Sequence, residues 1–178
     1  MKFYAAFSPN SLEMQAILGQ TEDESVQAVE QAAKSFARLV RERCPSCDGG
    51  PAIIVRAGAL GSYTVSDSWS GWVPAYWSAA EQNKVVDVTG GGNSYLGGLC
   101  AGLLLTDGDW RAGEFLPVVT LVLTPASIYA STAASFAIQQ KGLPRLTRQH
   151  EQELWNGDDP WKRLRDMANR VAELERRP

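Results

Sequence analysis

"VVDVTGGGNSYLGG", Val85 to Gly98, is the stretch on which the reading of this chain turns. An Asp and a Thr lead into Gly90, Gly91 and Gly92, and an apolar, helix-like run follows. Glycines let a backbone take up angles closed to other residues and let a ligand come close. Where such a turn opens a helix, unpaired N–H groups and the positive end of the helix dipole converge on one spot. That spot suits a phosphate or a developing anion. The stretch is not a P-loop, because no Lys-Ser/Thr pair follows, and the third glycine of a dinucleotide fingerprint would fall on Tyr95. Three glycines describe a structural turn equally well. The position after them, where an acid would be most useful, carries the amide Asn93.

Working outward, Ser94 to Leu105 reads as a helix whose Gly98 and Gly102 offer a smooth face to a strand or a ligand. Upstream, "AIIVRAG" (Ala52 to Gly58) reads as a buried strand, with "SYTVSD" and "SGWVPAYW" as two shorter ones. Trp69, Trp72 and Trp77 gather there, to wall a pocket or to pack. "KFYAAFS" is a further strand. Asn10 and Glu13 then have the spacing of a capping box, as do Thr21 and Glu24 before the amphipathic stripe Val26, Val29, Ala33, Phe36 and Val40. Beyond residue 105, helices are expected over 116–123 and 127–141, the second closed by Gly142 and Pro144. A last helix opens at "DDP" and carries Trp161, Leu164, Ala168, Val171 and Leu174. Trp155 and Trp161 are expected to anchor this tail. Strands alternating with helices predict a layered α/β domain.

Composition narrows the function. The 178 residues are 44% hydrophobic and 21% charged, which is globular rather than disordered. A net charge of −3 leaves no basic footprint for nucleic acid or an anionic membrane. The apolar run Tyr95 to Leu105 is too short to span a bilayer, and a cytoplasmic protein is the expectation. Three cysteines, an odd number, argue against a disulfide framework. Cys44 and Cys47 in "CPSC" have no second pair, and the single histidine, His150, sits in a polar stretch, so a plain loop with two thiols is expected rather than a half zinc site or a redox pair.

Three motifs in order narrow it further. "DVTGGGN" resembles the Asp-Thr-x-Gly-Ala-Gly-Asp run of the PfkB (ribokinase-like) carbohydrate kinases. "NSLE" (Asn10 to Glu13) resembles that family's Asn-x-x-Glu, and "RAGALG" (Arg56 to Gly61) its Thr-x-Gly-x-x-Gly, with Arg in place of Thr. "ASTAASFAIQQKGLP" is similar to the late helix beside the adenine, and the "GGGN" spelling looks like a divergent fungal subgroup. The resemblance implies the C-terminal portion of a three-layer ribokinase-like (Rossmann-like) fold, residues 1–178 forming one partial domain without the N-terminal strands and β lid. It implies ATP and Mg²⁺ as cofactors and a sugar or nucleoside as acceptor. A homo-oligomer or a partner protein is expected over the exposed sheet edge.

Residue roles follow from the same resemblance. Gly90, Gly91 and Gly92 become the anion hole, Asp87 the first acid of the motif, and Asn93 the base position. Arg56, Gly58, Gly61 and Thr89 fall on the nucleotide side, and Asn10 and Glu13 on the metal side. An amide cannot accept the proton that the family's final Asp takes. Losing a positioned base costs about 10²–10⁴ in rate, yet phosphoryl transfer is mostly positioning and charge stabilisation. The expected function is therefore a weak or inactive carbohydrate kinase homologue. The alternative is a pseudokinase or interaction module of the same descent, with Asn93 simply capping the helix.

Overall fold

The computed structural model describes residues 6–43, 51–66, 69–105 and 126–176. Cys44, Cys47 and the helix expected over 116–123 lie outside the described residues. The chain forms two compact units, Met1–Pro74 and Ala75–Pro178.

In the first unit a four-stranded sheet has the order β1-β2-β3-β4. Strand β1 (Ala6–Phe7) runs parallel to β2 (Ala52–Arg56), while β3 (Ser62–Val65) and β4 (Ser70–Val73) continue antiparallel. Residues Ala52 to Val55 are all buried, as a strand covered on both faces requires. Helix α1 (Ser11–Ile17) has the expected capping box, with Asn10 and Glu13 each bonded to the other's backbone N–H. Helix α2 (Val26–Arg43) lays Val29, Ala32, Ala33 and Ala37 onto Ile53, Val55, Tyr63 and Val65.

The start of α2 differs from the expected Thr21/Glu24 box. Ser25 caps it instead, its Oγ accepting from Ala28 N at 3.2 Å. The buried side chain of Gln15 holds Asp23 through both its backbone N–H and its carbonyl. That clamp keeps residue 23 out of helical geometry, a tertiary effect stronger than the local capping pattern.

The second unit contains α3 (Gly91–Leu105), α4 (Ala126–Ala137), the hairpin β5 (Leu146–Gln149) and β6 (Gln152–Trp155), and α5 (Pro160–Glu175). Helix α3 opens three residues earlier than expected, so Gly91 and Gly92 belong to its first turn. Helix α4 stops at Ala137 rather than 141, because groups from elsewhere in the fold take up the carbonyls at its end: Asn156 Nδ2 bonds Phe136 O (3.1 Å) and Val86 N bonds Ile138 O (2.8 Å). The hairpin was not expected. Its polar residues show no alternation, and its turn places His150 at φ 51°, exposed as the sequence suggested. Asp159 caps α5, with Pro160 in its first turn. Trp155 stacks edge-on against Phe136, whereas Trp161 on α5 is 48% exposed.

Gly98 and Gly102 face a helix, not a strand or a ligand. A Cβ on Gly98 would meet Tyr129 O at 2.6 Å, Ala133 Cβ at 2.7 Å and Ala130 Cα at 2.9 Å. Alanine in a helix gains about 0.5–1 kcal/mol over glycine, but overpacking against backbone costs about 1–3 kcal/mol. Gly98→Ala is therefore expected to lower the melting temperature by a few degrees. Gly97→Ala, with nothing within 4 Å, is expected to raise it. Thermal unfolding of the two variants side by side checks the crossing.

Candidate functional site

The glycine turn lies entirely within the second unit and stands at the N-terminus of α3. Asp87 Oδ1 accepts from Thr89 N at 2.9 Å, an Asx turn that folds the chain towards the glycines. Gly90 follows at φ 80°, a conformation that disfavours a side chain. Gly91 N bonds Val88 O at 3.1 Å, and Ser94 N makes the first helical bond to Gly90 O at 2.9 Å. One glycine amide is thus turned back onto the chain. Among the described residues, the amides of Gly92 and Asn93 have no such partner, as befits the first turn of a 15-residue helix. Anion-binding capacity therefore rests on Gly92 and Asn93 more than on Gly91.

Asn93 is exposed. Asp87 is committed to Thr89, whose backbone and side-chain hydrogen bonds hold the carboxyl below the usual aspartate range. A depressed pKa contributes stability that is present above the unfolded value and lost as pH falls through the folded one. The turn is accordingly expected to be insensitive to pH near neutrality. A carboxyl-carbon NMR titration of Asp87 is expected to show its midpoint below the ordinary aspartate value, and a midpoint at or above it would contradict the Asx turn.

The other predicted residues sit together in the first unit. Asn10 Oδ1 accepts from Glu13 N, and Glu13 Oε2 accepts from Asn10 N, both at 2.7 Å. Arg56 Nη2 lies 3.6 Å from that same Oε2, and Arg56 Nε and Nη2 donate to Ser8 O at 3.2 and 3.1 Å. The guanidinium is thus engaged at the point where residues 8–10 run beside the end of β2. Gly58 and Gly61, at φ 53° and 100°, bound the tight connection between β2 and β3, closed by Ala57 N to Gly61 O at 2.7 Å. Trp72 Nε1 donates to Glu30 at 2.8 Å and Trp77 Nε1 to Ser135 O at 3.1 Å, so both indoles serve packing.

Sequence reasoning missed Ile138. Its carbonyl receives Val86 N and Asp87 N at 2.8 and 3.2 Å, tying the end of α4 to the glycine turn. A backbone acceptor leaves no residue-type signal in a sequence. Beside it, Gln139, Gln140, Arg145, Thr147 and Asn156 line an open groove.

Comparison with known proteins accords with these features. Residues 5–147 match the family model described as pfkB family carbohydrate kinase. Protein MAK32 of Saccharomyces cerevisiae is 33% identical over 155 residues, covering 84% of this chain and 37% of that protein. An uncharacterized Schizosaccharomyces pombe protein is 27% identical, covering 98% of this chain and 47% of its own length. The chain thus spans less than half the length of these relatives. Among solved structures, Escherichia coli phosphofructokinase-2 in complex with potassium superposes with a TM-score of 0.58 at 13% identity, over 94% of this chain and 41% of that one. Arabidopsis thaliana ribokinase complexed with ribose and ATP gives 0.54 at 19% identity, over 92% and 40%. The fold is ribokinase-like.

Proposed function

Since the chain belongs to the pfkB family of carbohydrate kinases, we propose that its glycine turn is the phosphate-binding element of a nucleotide site serving phosphoryl transfer to a sugar or nucleoside hydroxyl. The observation that carries the reading is the pair of unpartnered amides, Gly92 and Asn93, at the start of α3 behind a glycine held at φ 80°. The residues fit an ATP phosphate: backbone donors and a helix dipole meet negative charge with no side chain in the way.

The roles divide as follows. Gly90 shapes the turn, Gly92 and Asn93 present N–H groups to phosphoryl oxygens, and Thr89 and Asp87 hold the approach. The open groove at the end of α4 is assigned to the nucleoside moiety. Asn10 and Glu13, which the family resemblance puts on the metal side, bond each other's backbone N–H within the first unit. Magnesium, when bound, would neutralise charge on the phosphates.

Two features favour a weak or silent variant of that chemistry. The base position is an exposed amide, and the nearest acid of the motif, Asp87, is already committed to Thr89. A non-catalytic, nucleotide-binding descendant is the second reading. Isothermal titration of the chain with ATP, with and without magnesium, tests both. Saturable, magnesium-dependent binding that Gly90→Val abolishes is expected, and absence of binding by any nucleotide would remove the proposal.

A further inference from the structure

Ile138 touches the glycine turn on two sides. Its carbonyl accepts from Val86 N at 2.8 Å and Asp87 N at 3.2 Å, just before the turn. Its side chain lies just after it: a Cβ on Gly91 would sit 2.8 Å from Ile138 Cγ2, closer than real contacts of this kind come. Ile138 is itself held firmly. Its N–H bonds Ala134 O at 3.2 Å. Asn156 Nδ2 grips Phe136 O and Gln140 Oε1 at 3.1 and 2.5 Å, and Arg163 Nη2 donates to Gln139 Oε1 at 2.8 Å.

We infer that Ile138 is the positioning residue of the glycine turn, and that its identity is coupled to the glycine at position 91. The carbonyl fixes the segment that enters the turn, and the Cγ2 methyl occupies the volume that a side chain at Gly91 would need. The volume beside Gly91 is thus already filled by a methyl from the end of α4. An alanine at Gly91 is allowed by its helical backbone, so the obstacle is the isoleucine alone. Pushing Ile138 aside would also pull its carbonyl from Val86 and Asp87. The Gly92 and Asn93 amides would then move from where a phosphate needs them. The effect on nucleotide affinity rests on the function proposed above, while the coupling itself rests only on packing.

The test is a mutant cycle on the whole chain, read by ATP calorimetry and by the ¹H–¹⁵N resonances of Gly90, Gly92 and Asn93. Gly91→Ala is expected to shift those resonances and to weaken ATP binding by about tenfold, the change that corresponds to about 1.4 kcal/mol of the overpacking cost falling on the displaced amides. Ile138→Val keeps the Cγ2 methyl and is expected to leave both readouts unchanged. Contacting residues couple strongly, so Gly91→Ala combined with Ile138→Ala is expected to return affinity and resonances to those of Ile138→Ala alone. A fold lost in Gly91→Ala and regained in the double variant supports the coupling equally. Additive losses in the double variant overturn it. If the unaltered chain binds no ATP, the phosphate reading fails by itself. The resonances then decide: their return in the double variant upholds the positioning role, and persistent displacement refutes it.

Discussion

Asn93→Asp is expected to raise the rate of phosphoryl transfer from ATP by about 10²–10⁴, the usual contribution of a positioned general base. That factor corresponds to roughly 3–5 kcal/mol of barrier. Asn93 lies in the first turn of α3, is exposed, and carries one of the two amides proposed to hold phosphate. The substitution is nearly isosteric, and an acid there also suits the positive end of the helix dipole, so the fold should tolerate it. The dipole lowers the new carboxylate's pKa and leaves it ionised at neutral pH, ready to accept a proton. Asp87 offers no comparable base, since Thr89 occupies it. The assay is transfer from ATP to a panel of sugars and nucleosides, with Asp87→Asn as a comparison. Silence of Asn93→Asp despite intact ATP binding would favour the pseudokinase reading.

Arg163→Met is expected to destabilise the second unit by about 3 kcal/mol. The guanidinium is 3% exposed, yet every face of it is used. Nε donates to Asp158 at 2.7 Å, Nη1 to Ser135 Oγ at 3.1 Å and Nη2 to Gln139 at 2.8 Å. Its carbon lies 3.7 Å from the centre of the Phe136 ring and 4.8 Å from that of Trp77. Hydrogen bonds to charged groups are worth about 1.5–3 kcal/mol each, and a desolvated cation–π contact about 2, but such terms do not add within one network. Asp158 is 42% exposed, so water rehydrates it when the arginine is removed, which keeps the loss below that of a fully buried pair. At about 2–4 °C per kcal/mol for a chain of this size, the melting temperature should fall by roughly 10 °C. Loss of the bond to Gln139 should also loosen the end of α4 beside Ile138. A change under about 1 kcal/mol would mean that arginine is only filling space there, as an apolar side chain of similar volume can.

The elements legible in the sequence are those specified locally. The Asn10/Glu13 capping box, the buried strand at Ala52, the Asp159–Pro160 helix start and the glycine turn all rest on residues within four positions of one another. Local chemistry needs no partner from elsewhere, so residue type and spacing suffice. Family membership was legible for the same reason, being written in three short motifs in order.

Other features depended on contacts between residues far apart along the chain. Gln15 moved the start of α2 by gripping Asp23, and Asn156 and Val86 ended α4 early by taking its last carbonyls. Arg56, a plausible phosphate ligand by type, was drawn to Ser8 and Glu13. Ile138 emerged as the support beneath the glycine turn, its carbonyl taking up Val86 N and Asp87 N. By itself, then, the sequence determined the buried strand at Ala52, the caps at Asn10 and Asp159, and the motif that identifies the family. Only tertiary structure decided which donors stay available and what holds them, because backbone hydrogen bonds carry no side-chain signature and burial belongs to the whole fold.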